Sequence, residues 1–138
     1  MLSFYISSRI VRLHTGNEDM NGIKAYQETA VCTQNRGQLV VMLYEGAIKF
    51  LKQAIADLER EDYASKGIRI AKAVDIIIEL NTVLDMDKGG EIAQNLRSLY
   101  NFMHHHLSEA NLKKDTRMIQ DVINLLQELK QGWEAIAE

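Results

Sequence analysis

Proline is absent from all 138 residues, where average usage of roughly 5% would supply about seven. Proline interrupts helices and populates linkers, so its absence excludes a Pro-rich linker and favours long helices joined by tight connections. Cysteine is nearly absent too. The single Cys32 can form neither an internal bridge nor a multi-thiolate metal site, which points to a reducing, cytoplasmic location. No basic run exceeds a pair, and 16 Lys and Arg against 19 Asp and Glu leave a net charge of -3. The electrostatic footprint of a nucleic-acid binder is therefore missing. Long apolar runs are missing as well: the densest stretch, Ile76 to Leu84, contains Glu79, Asn81 and Thr82 and falls short of the roughly 18 residues needed to cross a bilayer.

What is present is one domain's worth of chain with marked apolar periodicity. A domain near this length buries roughly 68–70% of the surface its unfolded chain exposes, enough for an autonomous core. The first residues need separate treatment. A secretory signal places positive charge ahead of an uninterrupted apolar core, whereas Arg9 and Arg12 fall after and within the apolar residues of Met1 to His14. Thr15 to Asp19 is polar and aperiodic. Residues 1–19 are therefore expected to be an extension, disordered or outside the fold, ahead of a domain spanning 20–138.

From Asn35 onward the apolar residues recur at helical spacing. Leu39, Leu43, Ala47, Phe50, Ala54 and Leu58 define one face of a first helix over about 36–60, with Asn35 and Gln38 as an Asn/Gln capping box. A second helix opens on Asp62 as N-cap and carries Ile70, Val74, Ile77, Asn81 and Leu84 along one row. A third shows Ile92, Leu96, Leu99, Met103, His106 or Leu107, and Ala110, ending at Lys113 and Lys114, whose charges suit a helix C-terminus. Asp115 caps a fourth, with Ile119, Val122, Leu126, Leu129, Trp133 and Ile136. The connections are short, with Gly89-Gly90 read as part of a flexible link, and short connections force neighbours to run antiparallel. The expected fold is all-α, an antiparallel up-down-up-down four-helix bundle, with Ala25 to Thr33 available for a short N-terminal capping helix.

Most chemical templates fail on this sequence. No Glu is followed by His three residues later, as a di-iron carboxylate bundle requires. His104, His105 and His106 are consecutive, so their side chains diverge by about 100° on a helix and do not converge on one ion, even with Glu109 nearby. Gly89-Gly90 lacks the preceding strand and the motif of a phosphate loop. Glu45 and Glu79 flank apolar stripes as solvated or salt-bridged edges. Neither an enzyme nor a cofactor is expected.

The apolar surface itself is the remaining candidate. Tyr44, Ile48, Leu51 and Ile55 on the first helix, and Ile76, Leu80 and Val83 on the second, form rows beyond a single stripe. Such rows mark a groove for an amphipathic partner, a homodimer face, or simply a wide core. Several motifs bear on the choice. Leu39-Val-Val-Met-Leu-Tyr-Glu-Gly-Ala-Ile-Lys-Phe-Leu51, Ile78-Glu-Leu-Asn-Thr-Val-Leu-Asp85, Gly89-Gly-Glu-Ile-Ala-Gln-Asn-Leu-Arg-Ser-Leu-Tyr100 and Ala110-Asn-Leu-Lys-Lys-Asp115 together closely resemble the flagellar secretion chaperone FliS family. Met20-Asn-Gly-Ile-Lys-Ala-Tyr-Gln27 resembles that family's N-terminus.

The resemblance implies a cytoplasmic chaperone that binds the disordered C-terminal segment of flagellin, prevents premature polymerisation and keeps it competent for the flagellar type III export gate. A co-chaperone is a further candidate partner. It also implies an N-terminal segment that covers apolar surface until the client arrives, with Tyr26 as its pin or as a docking residue for the gate. The client-binding set is then Tyr26, Tyr44, Ile48, Leu51, Ile55, Ile76, Leu80 and Val83. The sequence departs from the family pattern at Glu45, at His104-His105-His106 and at the Pro-free Asn35-Arg36-Gly37. The alternative is a homodimeric helical-bundle structural or interaction protein.

Overall fold

The computed structural model describes residues 36–136 as four helices: α1 (Arg36–Glu59), α2 (Tyr63–Thr82), α3 (Met86–Lys113) and α4 (Thr116–Ile136). The expected extension 1–19, the capping helix within 25–33, Tyr26, Cys32 and the Asn35 cap lie outside the described residues. α1 packs on α2 and α4, and α3 packs on the same two helices, so each helix of the bundle has two neighbours.

Two of the three connections use one device. α1 ends in a Schellman arrangement, in which the Asp62 amide donates to the Asp57 carbonyl at 2.8 Å and the Glu61 amide to the Leu58 carbonyl at 3.0 Å. Glu61 takes the left-handed conformation this requires, at φ 59°. Asp62 then caps α2, accepting from the Ser65 amide at 3.2 Å, and that bond holds its carboxyl below the usual range. The end of α3 repeats the pattern. Lys114 is left-handed at φ 55°, the Asp115 amide donates to the Ala110 carbonyl at 3.1 Å, and Asp115 accepts from the Arg117 amide at 2.9 Å. Neither position is a glycine, so each turn holds a residue at a cost of roughly 1–2 kcal/mol of backbone strain.

The two turns sit side by side. The ammonium of Lys114 lies 3.9 Å from the centre of the Tyr63 ring, and Lys66 donates to the Asn111 backbone carbonyl at 3.0 Å and its side-chain oxygen at 2.6 Å. Burial, reinforced by Lys114, lowers the Lys66 pKa.

The connection from α2 to α3 departs from the expected flexible link. Asp85 caps a helical turn from Met86, accepting from the Lys88 amide at 3.0 Å, and the Gly89 amide donates to the Asp85 carbonyl at 2.7 Å. The break comes one residue later, at Gly90, with φ 56° and ψ -132°. A side chain there would meet open space, so the requirement for glycine comes from the backbone alone. Beyond the break, Ala93 takes the inward position. Ile92, about 100° around the helix, is therefore 52% exposed rather than in the core, which corrects its place in the expected stripe.

The remaining expected stripes are largely core. Leu39, Leu43, Ala47, Ala54, Ile70, Ile77, Leu96, Met103, Ile119, Leu126 and Trp133 are buried, whereas Phe50, Val74, Leu99 and Leu129 are half-buried at the margins. At the third helix's ambiguous step it is Leu107 that is buried, and His106 lies at the edge. Buried carboxylates were not anticipated, and Asp57 is the most deeply covered of them. Asp57 is ion-paired to Arg60 and, at 3.2 Å, to Arg69 of α2, and Arg69 also donates to Gln53 at 2.8 Å.

Candidate client-binding surface

The rows that were open between groove and core are buried in the structure. Tyr44, Ile48 and Leu51 of α1, Ile76 and Leu80 of α2, and Val83 just beyond it belong to the hydrophobic core cluster, with Ile55 half-buried against it. They therefore present no open apolar face among the described residues. Two helical faces are needed because α1 and α2 are the most extensively packed pair and each also borders a second helix; a stripe facing two neighbours is wider than one facing a single neighbour.

Tyr44 sits deepest. Its hydroxyl shares a hydrogen bond with the Tyr100 hydroxyl of α3 and accepts another from the indole N–H of Trp133 of α4 at 3.1 Å. The two tyrosine rings are tilted at 41° with centroids 6.5 Å apart. Burial pushes the Tyr44 pKa up to about 12, against the lowering effect of its two hydrogen bonds. Tyr100 is raised well above its ordinary value, first by burial and then by Tyr44. Three helices thus meet at one small polar centre inside an apolar core. Sequence reasoning missed this junction, although the presence of a polar tip on each of three residues at inward helical positions was its available signal.

The flanking acids differ from one another. Glu45 is exposed and pairs with Lys130 of α4 at 3.4 Å, the expected salt-bridged edge, whereas Glu79 is buried. Of the three consecutive histidines, His104 and His105 are exposed. His106 stacks on Phe102 with centroids 4.8 Å apart and meets Asp121 of α4 at 3.1 Å. Among the described residues, no three His, Cys, Asp or Glu side chains are placed to hold a metal ion, and no helix is long and apolar enough to cross a membrane.

The architecture is that of a helical-bundle protein. Comparison with known proteins makes it more specific: residues 19–138 match the family described as flagellar protein FliS. The chain is 41% identical over 122 residues to the flagellar secretion chaperone FliS of Salmonella typhimurium, covering 85% of this chain and 90% of that one. It is 40% identical over 118 residues to FliS of Vibrio cholerae, covering 83% and 87% of the two chains. With FliSB of Pseudomonas aeruginosa it shares 40% identity over 122 residues, covering 86% and 97%. The chain belongs to the FliS family of flagellar secretion chaperones. Its role is that of a chaperone in flagellum biogenesis.

Proposed function

We propose that this chaperone acts in the cytoplasm on the disordered C-terminal segment of flagellin, holding it from premature polymerisation and delivering it to the type III export gate. The observation that carries the reading is the family match over residues 19–138. The same match supports a functional unit beginning near residue 20, with 1–19 as an extension to it. An up-down-up-down antiparallel course is supported by the cross-helix bonds, which join early α1 to late α4 (Tyr44 to Trp133), late α1 to early α2 (Gln53 to Arg69) and late α3 to early α4 (His106 to Asp121).

Client binding is coupled to folding of the client, whose ordering offsets about 2–5 kcal/mol or more of the interaction. The proposed contact surface is the α1–α2 side, formed by Tyr44, Ile48, Leu51, Ile55, Ile76, Leu80 and Val83. Because most of these are buried, the client reaches them only as covering groups yield, beginning at half-buried Ile55 and at the margins of Ile48 and Ile76. Tyr26, in a capping helix ahead of α1, is proposed to be part of that cover or a docking residue for the gate. A co-chaperone is a further proposed partner.

The test is size-exclusion chromatography with and without a flagellin C-terminal peptide, followed by calorimetric titration of wild type and Ile55→Gln. A one-to-one complex that weakens more than about tenfold in the variant, with the variant's circular dichroism unchanged, is the expected result. A wild-type chain that stays dimeric and ignores the peptide would refute the reading in favour of the homodimeric alternative.

A further inference from the structure

The α3–α4 seam carries a second feature. A shallow groove of about 550 Å³ runs along it, lined by Leu99 and Phe102 of α3 and by Asp121, Asn124, Leu125 and Glu128 of α4. Leu99 and Leu125 are half-buried and form an apolar floor, and Phe102 stands 46% exposed above it. The polar lining carries one sign of charge: two carboxylates, an amide and no Lys or Arg. One rim group is already met from within the chain, since His106 of α3 stacks on Phe102 and reaches Asp121 at 3.1 Å, while Lys130 of α4 is held by Glu45 and Glu134. From Asp121 to Glu128 is two helical turns, about 10 Å.

We infer that this groove docks an amphipathic helix from a partner protein, with a short apolar row flanked by Lys or Arg. The apolar row covers Phe102, Leu99 and Leu125, and its basic flank pairs with Glu128 and, alongside His106, with Asp121. Charge complementarity selects a cationic occupant, and the two-turn length selects a short contact, which makes the interaction weak and exchangeable. The seam shares no helix with the α1–α2 side, so the groove is free while a client is held there. Docking at the groove stands apart from the proposed function, whereas its independence of the client rests on the proposed α1–α2 client side.

The experiment titrates the full-length protein, followed by amide NMR, with a Leu/Lys amphipathic peptide of about four helical turns and with its Leu/Glu counterpart. The Lys peptide is expected to shift amides around Leu99, Phe102, Asn124 and Leu125, and the Glu peptide to leave them in place. Binding should weaken by about tenfold or more in Asp121→Lys with Glu128→Lys, in Phe102→Ser, and on raising the salt to screen the rim. Circular dichroism and flagellin-peptide binding by these variants should match wild type. Shifts centred on α1 and α2, or affinity indifferent to charge reversal, would overturn the inference. So would loss of flagellin-peptide binding in the groove variants, which would place the groove within the client surface. Two other occupants would also overturn it: a second copy, seen as concentration-dependent shifts without peptide, and the chain's own Arg9 and Arg12 segment, seen as peptide binding that appears only in Arg9→Glu with Arg12→Glu.

Discussion

Removing a single oxygen at Tyr44 tests the polar centre of the bundle. Tyr44→Phe keeps the ring and its packing but takes away the atom on which Tyr100 and Trp133 both depend. Two buried polar groups are then stranded, each at about 1–3 kcal/mol. Some relaxation between them is expected, so the net loss is about 2–4 kcal/mol, a large part of the 5–15 kcal/mol that typically holds a domain together. Tyr100→Phe strands less, because the Tyr44 hydroxyl keeps the indole bond, and should cost about 1 kcal/mol. Urea denaturation followed by circular dichroism measures both.

A pH arm checks the same geometry. Tyr44 ionises at about 12 in the fold against an ordinary value of 10.0. The folded pKa is raised, so the neutral hydroxyl is favoured in the fold. Its contribution is intact below pH 10 and falls as the pH rises toward 12, by about 1.4 kcal/mol per pH unit for this group. That share of the alkaline loss should vanish in Tyr44→Phe. If Tyr44→Phe leaves stability within about 0.5 kcal/mol of wild type, the reasoning fails and the hydroxyl is not a keystone of the core.

The backbone at the turns gives a second expectation. Glu61→Gly and Lys114→Gly should each stabilise the protein by up to about 1 kcal/mol by relieving left-handed strain, whereas Gly90→Ala should destabilise it by about 1–2 kcal/mol with no steric clash to blame; thermal melts of the three variants give the opposite signs directly. Asp57→Ala removes the carboxylate that Arg60 and Arg69 share. Both arginines reach solvent, so the cost should be about 1–3 kcal/mol rather than the larger value of a fully buried pair, and high salt should shrink the difference between variant and wild type little, because Asp57 itself is buried.

Asp62 and Asp115 could be read as caps because a cap is a local bond between a side chain and an amide two or three residues on. The inward rows of α1 and α4 were legible for a similar reason, since burial on one face imposes its period on the sequence. Ile92 fits Leu96's row by spacing but lies in the first turn after the Gly90 break, where Ala93 is buried instead, and apolar spacing does not tell which of two adjacent positions a turn buries. Tyr44 was harder still. An aromatic with a polar tip has the same pattern at an interface as in a core, and only the positions of Tyr100 and Trp133, far away in the chain, distinguish them. Asp57 was hidden by its charge, which reads as exposed until Arg69 on the next helix is seen to meet it. The acidic α3–α4 groove was invisible, because it is made of residues from two helices that share no motif.

The paired turns at Glu61-Asp62 and Lys114-Asp115 also bear on how the chain becomes a bundle. Each closes a helical hairpin whose partners are adjacent in sequence, so α1 with α2 and α3 with α4 require little loop-closure entropy and can assemble on the fast timescale of local contacts. The bond from Trp133 to Tyr44 spans 89 residues, the most distant of the contacts described. The aromatic centre thus ties the two ends of the bundle together across the chain, where every turn joins only neighbours.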